Sequence, residues 1–156
     1  MDKGIAVKKQ EELFAYLKSK GLRMTPSKKL LIQLFLDNQR RHVSSKEIQE
    51  YVASNLPEVD RTTIYRNIEK LISLDLIQEL YLPKTGKAYQ FIFGNKVHHY
   101  YICKGCGDVK IGDPKLFRRI EKSLKEIHDF SKANLSVVFY GQCSDCESEN
   151  QVEVSL

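Results

Sequence analysis

Two Cys-x-x-Cys pairs are the feature of this sequence whose chemistry is easiest to specify. The chain contains four cysteines, and all of them belong to these pairs. Two intervening residues let both sulfurs of a pair face one ion, and two pairs supply the four thiolates of a closed tetrahedral zinc site. The spacing therefore predicts one structural zinc ion, bound by Cys103, Cys106, Cys143 and Cys146.

Thiol–disulfide exchange is the alternative chemistry for such a pair. In thioredoxin-like proteins the motif opens a helix of an α/β unit. Here each pair follows a predicted strand, and neither is expected to open a helix. Lys104, Gly105 and Gly107 suit the tight turn that a zinc-binding loop requires. We therefore favour structural zinc, with the added expectation that oxidation of the thiolates would release the metal.

Composition limits where the protein acts and how it is organised. With 156 residues, 42% of them hydrophobic and 29% charged, the chain suits one medium globular domain or two small ones. No apolar run approaches the roughly 20 residues that cross a membrane, and the N-terminus lacks the apolar core of a secretory signal. We expect a cytoplasmic protein with no membrane partner. Disulfides are rare in the cytoplasm, which favours metal binding or redox chemistry for the cysteines.

Positive charge is concentrated in one part of the chain. Between Leu13 and Leu36 the sequence has five cations and no anion, within a formal net charge of +5. Such a local positive field suits contacts with phosphate groups, and an ordinary solvated helix face is the alternative. Arg23 and Lys28 in this segment are candidate DNA-contacting residues.

The first half of the chain predicts four helices and then a β-hairpin. Thr25, Ser44 and Asp60 each stand where an N-cap should, and Glu47 completes a capping box with Ser44. Helices followed by a hairpin are typical of a winged helix, a helix-turn-helix with an added wing. The segments are helices within 10–20, 25–38, 44–56 and 60–74 and two strands within 76–93.

The fourth predicted helix has two distinct faces. Its inner stripe consists of Ile64, Ile68, Leu71 and Ile72. Its other side carries Thr62, Thr63, Arg66, Asn67 and Lys70, with Tyr65 at the border. In a winged helix this polar side would enter the major groove, and the wing would lie along the backbone. The candidate DNA-contacting residues are therefore Thr63, Tyr65, Arg66 and Asn67 on the helix and Lys84 and Lys87 on the wing.

The second half predicts a small α/β domain. Strands are expected within 97–103, 108–112 and 134–141, and a helix capped by Asp113 within 113–130. About 60 residues form a thin core, so a metal and a partner subunit would both help to stabilise it. We predict an α+β protein with an N-terminal winged helix-turn-helix DNA-binding domain over 1–93, a hinge at 94–97 and a C-terminal α/β dimerisation domain over 98–156.

Taken together, these segments resemble the ferric uptake regulator (Fur) family, from about Leu17 to Cys146. The resemblance implies a metal- or peroxide-responsive bacterial regulator with a winged helix and a C-terminal dimerisation domain. It also implies that Tyr65 and Arg66 contact DNA from the recognition helix, that Arg23 reaches the minor groove, and that the four cysteines bind structural zinc. The segments that carry it are GLRMTPSKKLLI, HVSSKEI, DRTTIYRNIEKL, HHYYICKGCG and FYGQCSDC.

The sequence departs from the family at the expected regulatory metal site. The resemblance places that site at His42, Gln90, His98 and Tyr100, where the family has two further strong donors in place of Gln90 and Tyr100. A neutral amide is a weak ligand, and a phenol with a pKa near ~10 must first lose its proton. His42 and His98 match the histidines that bound iron oxidises in the peroxide-sensing (PerR-like) branch.

Two interpretations of this departure remain open. In the first, His42 and His98 bind a second divalent metal (Fe, Mn or Zn) with replacement donors such as His99, Asp108 or Asp113. In the second, metal sensing has been lost, and the dimer binds DNA constitutively or responds to another signal.

The sequence thus predicts a homodimeric, sequence-specific transcriptional regulator, a repressor of palindromic operators in double-stranded DNA, rather than an enzyme. A thiol–disulfide enzyme and a zinc-ribbon interaction module are the rival classes. The basic segment over 13–36 and the wing lysines argue against both.

Overall fold

A computed structural model of the chain describes residues 2–94, 99–130 and 137–153, with side chains described over 10–94, 99–130 and 137–148. The chain divides into two compact units, the first comprising Met1–Leu80 and Lys87–Gly94 and the second Tyr81–Gly86 and Asn95–Leu156. Residues 95–97 of the expected hinge lie outside the described residues. Over the described ranges, every helix falls short of the length and apolar character needed to cross a bilayer.

The first unit contains the predicted helices and most of the predicted hairpin. A short strand, β1 (Val43–Ser44), pairs antiparallel with β3 (Gly86–Phe91), which lies between β1 and β2 (Ile77–Leu82). The elements are α1 (Asp2–Ser19), α2 (Pro26–Asp37), β1 (Val43–Ser44), α3 (Ser45–Asn55), α4 (Arg61–Ser73), β2 (Ile77–Leu82) and β3 (Gly86–Phe91).

Three predicted N-caps begin the helices of this unit. Thr25 accepts a hydrogen bond from the backbone N–H of Lys28, and Ser44 forms the expected capping box with Glu47. Asp60 accepts from the N–H of Thr63 at 2.9 Å. These caps are short-range hydrogen bonds that satisfy helix N–H groups, so the starts of α2, α3 and α4 are fixed locally by sequence.

One large apolar core lies within the first unit. It joins residues of all four helices to residues of the sheet, and the inner side of α4 lies against it. Two aromatic rings, Tyr16 on α1 and Phe93 after β3, pack with centroids 5.2 Å apart. The core members on α4 are Ile64, Ile68 and Leu71, with Ile72 packed at the edge.

The described residues of the second unit form a three-stranded sheet with the order β5 (Val109–Ile111), β4 (Tyr100–Cys103), β6 (Val138–Gly141). Strand β4 pairs antiparallel with β5 and parallel with β6. Residues 97–98 and 134–136 of the predicted strands lie outside the described residues. The elements are β4 (Tyr100–Cys103), β5 (Val109–Ile111), α5 (Pro114–His128), β6 (Val138–Gly141) and α6 (Ser144–Glu153).

Apolar side chains remain exposed on the second unit. On α5 Phe117 is buried, whereas Ile127 is 71% exposed and Leu116 is 42% exposed. Phe139 and Tyr140 on β6 are also exposed. The described residues of this unit therefore leave apolar surface exposed.

Candidate metal centre and nucleic-acid interface

The four cysteine sulfurs converge on one point of the second unit. Their Sγ atoms all lie within 4.8 Å of one another, and the sulfurs of Cys106 and Cys143 are 3.8 Å apart. Zinc–sulfur bonds of about 2.3 Å in a tetrahedron place the sulfurs about 3.8 Å apart. The cluster thus has the composition and dimensions of a structural zinc site.

The sheet brings the two cysteine pairs together. Cys103 is the last residue of β4 and lies opposite Gly141 of β6 in the parallel register. Cys143 follows β6 by two residues, and Lys104 donates its N–H to the carbonyl of Gly141 at 2.7 Å. Both pairs therefore leave the same end of the sheet.

A tight turn shapes the first pair. The N–H of Cys103 donates to the carbonyl of Asp108, and the N–H of Gly107 donates to the carbonyl of Cys103, both at 2.9 Å. Gly107 has a φ of +80°, which favours glycine. At Gly105 a Cβ atom would lie 2.8 Å from the Sγ of Cys146. Glycine at position 105 therefore leaves room for the sulfur of Cys146.

The pKa values of the thiols in this cluster favour the binding of a cation among the sulfurs. The backbone N–H groups of Cys106 and Cys143 lower the pKa of Cys103 to about 6. Hydrogen bonds with the sulfurs of Cys143 and Cys103 raise the pKa of Cys146 to about 12. Four sulfurs this close cannot all carry negative charge alone, whereas a bound divalent ion deprotonates its thiol ligands.

The second pair corrects one expectation. Helix α6 begins at Ser144, so the pair Cys143–Cys146 does open a helix. The segment lacks an apolar stripe, but Asp145 and Glu147 lie in its first turn, where carboxylates stabilise a helix N-terminus. Cys143 and Cys146 nevertheless lie beside the first pair rather than forming an isolated dithiol, so the arrangement still favours metal over redox exchange.

The polar side of α4 lies on the first unit. Arg66 is exposed, as are Thr62 and Lys70, and Thr63 and Tyr65 are half-buried. The hydroxyl of Tyr65 accepts a hydrogen bond from Nε2 of Gln49 on α3 at 2.8 Å. Sequence reasoning missed Gln49 because nothing in the spacing of α3 connects it to α4.

The expected position of Asn67 is wrong. Its side chain is 7% exposed, and its Nδ2 donates to the Oγ of Ser27 on α2 at 3.0 Å. Position 67 lies three residues after the buried Ile64 and four before the buried Leu71, so it falls beside the core stripe of the helix. The Ser27 hydroxyl lies 3.2 Å from that of Thr25, and Asn67 thus connects α4 to the start of α2.

The two candidate cations before and within α2 lie close together. Arg23 is exposed and Lys28 is half-buried. The Nζ of Lys28 donates to the carbonyl of Arg23 at 3.2 Å. The start of α2 therefore places two positive side chains at the positive end of the helix dipole, a favourable setting for a phosphate.

The two wing lysines are placed differently. Lys87 pairs with Glu79 at 3.2 Å in the first unit, and the hydrogen bond with Glu79 raises the pKa of Lys87. In the second unit, the side-chain carbons of Lys84 lie 3.6 Å from where a Cβ on Gly107 would be. Both lysines stay exposed.

Of the positions expected to form a regulatory metal site, two lie in the first unit and one described position lies in the second. In the first unit His42 is half-buried, and Gln90 is 7% exposed and donates from Nε2 to the carbonyl of Gln39 at 2.9 Å. In the second unit burial raises the pKa of Tyr100 to about 12. His98 lies outside the described residues.

The suggested replacement donors already have other contacts within the second unit. The ring of His99 stacks on Phe117 with centroids 3.3 Å apart. Asp113 caps α5, and Asp108 lies 3.6 Å from the Nζ of Lys110. Among the residues that the structure describes, the four cysteines are the group of three or more His, Cys, Asp or Glu residues arranged to hold an ion.

Comparison with known proteins gives one consistent picture. The model of the ferric uptake regulator family matches residues 19–140. The peroxide-responsive repressor PerR of Staphylococcus saprophyticus is 24% identical over 139 residues, covering 89% of this chain and 92% of that protein.

Two solved structures share the fold. The ferric uptake regulator from Pseudomonas aeruginosa with manganese has a TM-score of 0.68 at 18% identity, with 83% of this chain and 96% of that chain covered. A zinc uptake regulator complexed with zinc and DNA has a TM-score of 0.62 at 17% identity, with 94% and 97% covered. These likenesses confirm the predicted α+β fold class.

Replacing Gly105 with alanine tests the metal centre. The added Cβ would lie 2.8 Å from the Sγ of Cys146, so we expect Gly105→Ala to bind zinc at least about tenfold more weakly, a loss of about 1.4 kcal/mol. Competition with a chromophoric chelator measures this affinity. Gly141→Ala is the matched control, because a Cβ there meets nothing within 4 Å. Equal zinc affinity in both variants would contradict the arrangement.

Proposed function

Because the chain belongs to the ferric uptake regulator family, we propose that it is a zinc-stabilised, homodimeric transcriptional regulator that binds double-stranded DNA and represses from palindromic operators. In this proposal the protein binds DNA and is not an enzyme. It acts in the cytoplasm, because its partner is chromosomal DNA. The observation that carries this proposal is the contrast between the two sides of α4. One side is buried in a large core, and Arg66, Thr62 and Lys70 are exposed on the other.

The DNA contacts are assigned from the first unit. Arg66 on α4 is the candidate for a guanine edge or a phosphate in the major groove, and Thr63 and Tyr65 are candidates for phosphate or thymine contacts. Arg23 is assigned to the minor groove and Lys28 to the backbone beside α2. Lys84 and Lys87 are assigned to the backbone along the wing. Asn67 is left out of the interface because it is buried.

The second unit supports a homodimer. Along one side of α5, Leu116 and Ile127 are exposed, and Ile120 and Leu124 are half-buried. Ile111, Phe130, Phe139 and Tyr140 add exposed apolar surface. Apolar patches of this kind mark interaction sites, and two-fold pairing of identical chains is the commonest way to cover one.

A second candidate function is regulation that does not depend on a second divalent metal. Gln90 uses its amide to hold the carbonyl of Gln39, and the phenol of Tyr100, with a pKa of about 12, is protonated at neutral pH. These observations favour a regulator whose DNA binding needs no second divalent metal. The family expectation, a site formed by His42, Gln90, His98 and Tyr100, is the alternative.

Changing Arg66 to alanine tests the recognition helix. Loss of a charged contact should weaken binding by about 1–3 kcal/mol, or roughly 5- to 150-fold. The zinc-loaded protein first selects a duplex from a random-sequence library, and fluorescence anisotropy then measures the affinity of Arg66→Ala for it. Arg119→Ala, an exposed arginine on α5, is the control and should bind normally. Unchanged binding by Arg66→Ala would remove α4 from its assigned role.

A charge placed in the apolar stripe of α5 tests the dimer. We expect Ile127→Glu to weaken self-association at least about tenfold, because an apolar side chain worth about 1.5–3 kcal/mol is lost from each contact. Sedimentation equilibrium of zinc-loaded protein measures the association constant. Arg118→Glu, on the opposite side of the helix, should stay dimeric. A dimeric Ile127→Glu protein would show that another surface is used.

Treatment with a chelator tests whether DNA binding depends on a second divalent metal. Protein with one zinc ion per chain, verified by elemental analysis, is treated with a chelator too weak to remove thiolate-bound zinc and then titrated with the selected duplex. We expect unchanged affinity, and equally unchanged affinity after Fe or Mn is added. A second bound metal per chain, together with metal-dependent affinity, would instead favour the regulatory site.

A further inference from the structure

We propose that Gln49 is a positioning residue for DNA recognition, which directs the hydroxyl hydrogen of Tyr65 outward as a hydrogen-bond donor to the duplex. This inference rests on the proposed function, and it adds a residue outside α4 to the recognition apparatus. It is carried by one contact between helices: Nε2 of Gln49 on α3 lies 2.8 Å from the hydroxyl of Tyr65 on α4.

The direction of this hydrogen bond decides what Tyr65 can offer. An amide nitrogen only donates, so the phenol oxygen must accept. The phenol has one hydrogen of its own, which this bond leaves available. Phosphate oxygens and the acceptor atoms of guanine, adenine and thymine are the groups in DNA that such a donor meets.

A second contact holds the Tyr65 ring. The guanidinium carbon of Arg61, one turn earlier on α4, lies 5.9 Å from the ring centroid, within the range of a cation–π interaction. Gln49 and Arg61 thus restrain the hydroxyl and the ring of one half-buried side chain. A side chain ordered before binding loses less conformational entropy when the complex forms.

The proposed role therefore requires an amide side chain at position 49. Glutamate has nearly the same shape, but its carboxylate accepts instead of donating. It would take the Tyr65 hydrogen for itself and add a negative charge near the DNA. Methionine keeps much of the size and removes the donor. These two substitutions separate hydrogen-bond direction from packing.

The experiment measures affinity for the selected duplex in single and double variants. We expect Gln49→Met to bind roughly 2- to 10-fold more weakly, the size of one hydrogen bond, and Gln49→Glu to lose more than Gln49→Met. We expect Tyr65→Phe to lose affinity as well, and Gln49→Met in the Tyr65→Phe background to cause no further loss. The slope of log affinity against log salt should be the same for Gln49→Met as for the original protein, because no cation is removed.

Controls separate positioning from general destabilisation. Gln33→Met removes a glutamine that bonds Asp37 within α2 and should bind normally. Thermal unfolding is recorded for each variant, and Gln49→Ala replaces Gln49→Met if the methionine protein unfolds early. Full affinity in both Gln49→Met and Gln49→Ala, or an equal loss with and without the Tyr65 hydroxyl, would overturn the inference. The proposed function itself would fail separately, if the unsubstituted protein bound no duplex.

Discussion

Crowding of four sulfurs into one cluster is the constraint on which the second unit depends. The sulfurs lie within 4.8 Å of one another, and thiols so close oppose one another's ionisation until a cation lies among them. The described residues of this unit bury few apolar side chains, among them Tyr100, Ile102 and Phe117. Metal binding therefore supplies folding free energy that a small core cannot.

The position of the cluster connects metal binding to the surface of the second unit. Cys103 ends β4, and Cys143 follows β6, the strand that carries Phe139 and Tyr140. An ion bound there holds β6 against β4 and so fixes the exposed aromatic side chains. In the proposed dimer, zinc binding and self-association would thus be linked through one strand. The first unit, with its own large core, is built without this dependence.

Local signals in the sequence determined most of the fold. The caps at Thr25, Ser44 and Asp60 are short-range hydrogen bonds, so their positions were predictable and fix the starts of three helices. Strand β1 has two residues, too few for an alternating pattern, and α6 lacks an apolar stripe. Both were missed for that reason.

The candidate sites were predictable where spacing specifies them and not where partners are distant. The cysteine cluster follows from two pairs at fixed spacing. Gln49 and Tyr65 are 16 residues apart on different helices, and no periodicity connects them. Asn67 was placed on the wrong side because a residue at the edge of a stripe can turn either way, and here Ser27 on α2 decided the outcome.

The buried pair of Asn67 and Ser27 also sets a distance. If α4 slid by one turn along α2, a buried amide would lose its partner, at a cost of about 1–3 kcal/mol. In the proposed DNA complexes, the separation between the cations at the start of α2 and the exposed side of α4 would therefore stay the same. A duplex whose backbone spacing differs must bend or change its groove width to fit, so deformable sequences would be preferred even at base pairs that no side chain touches.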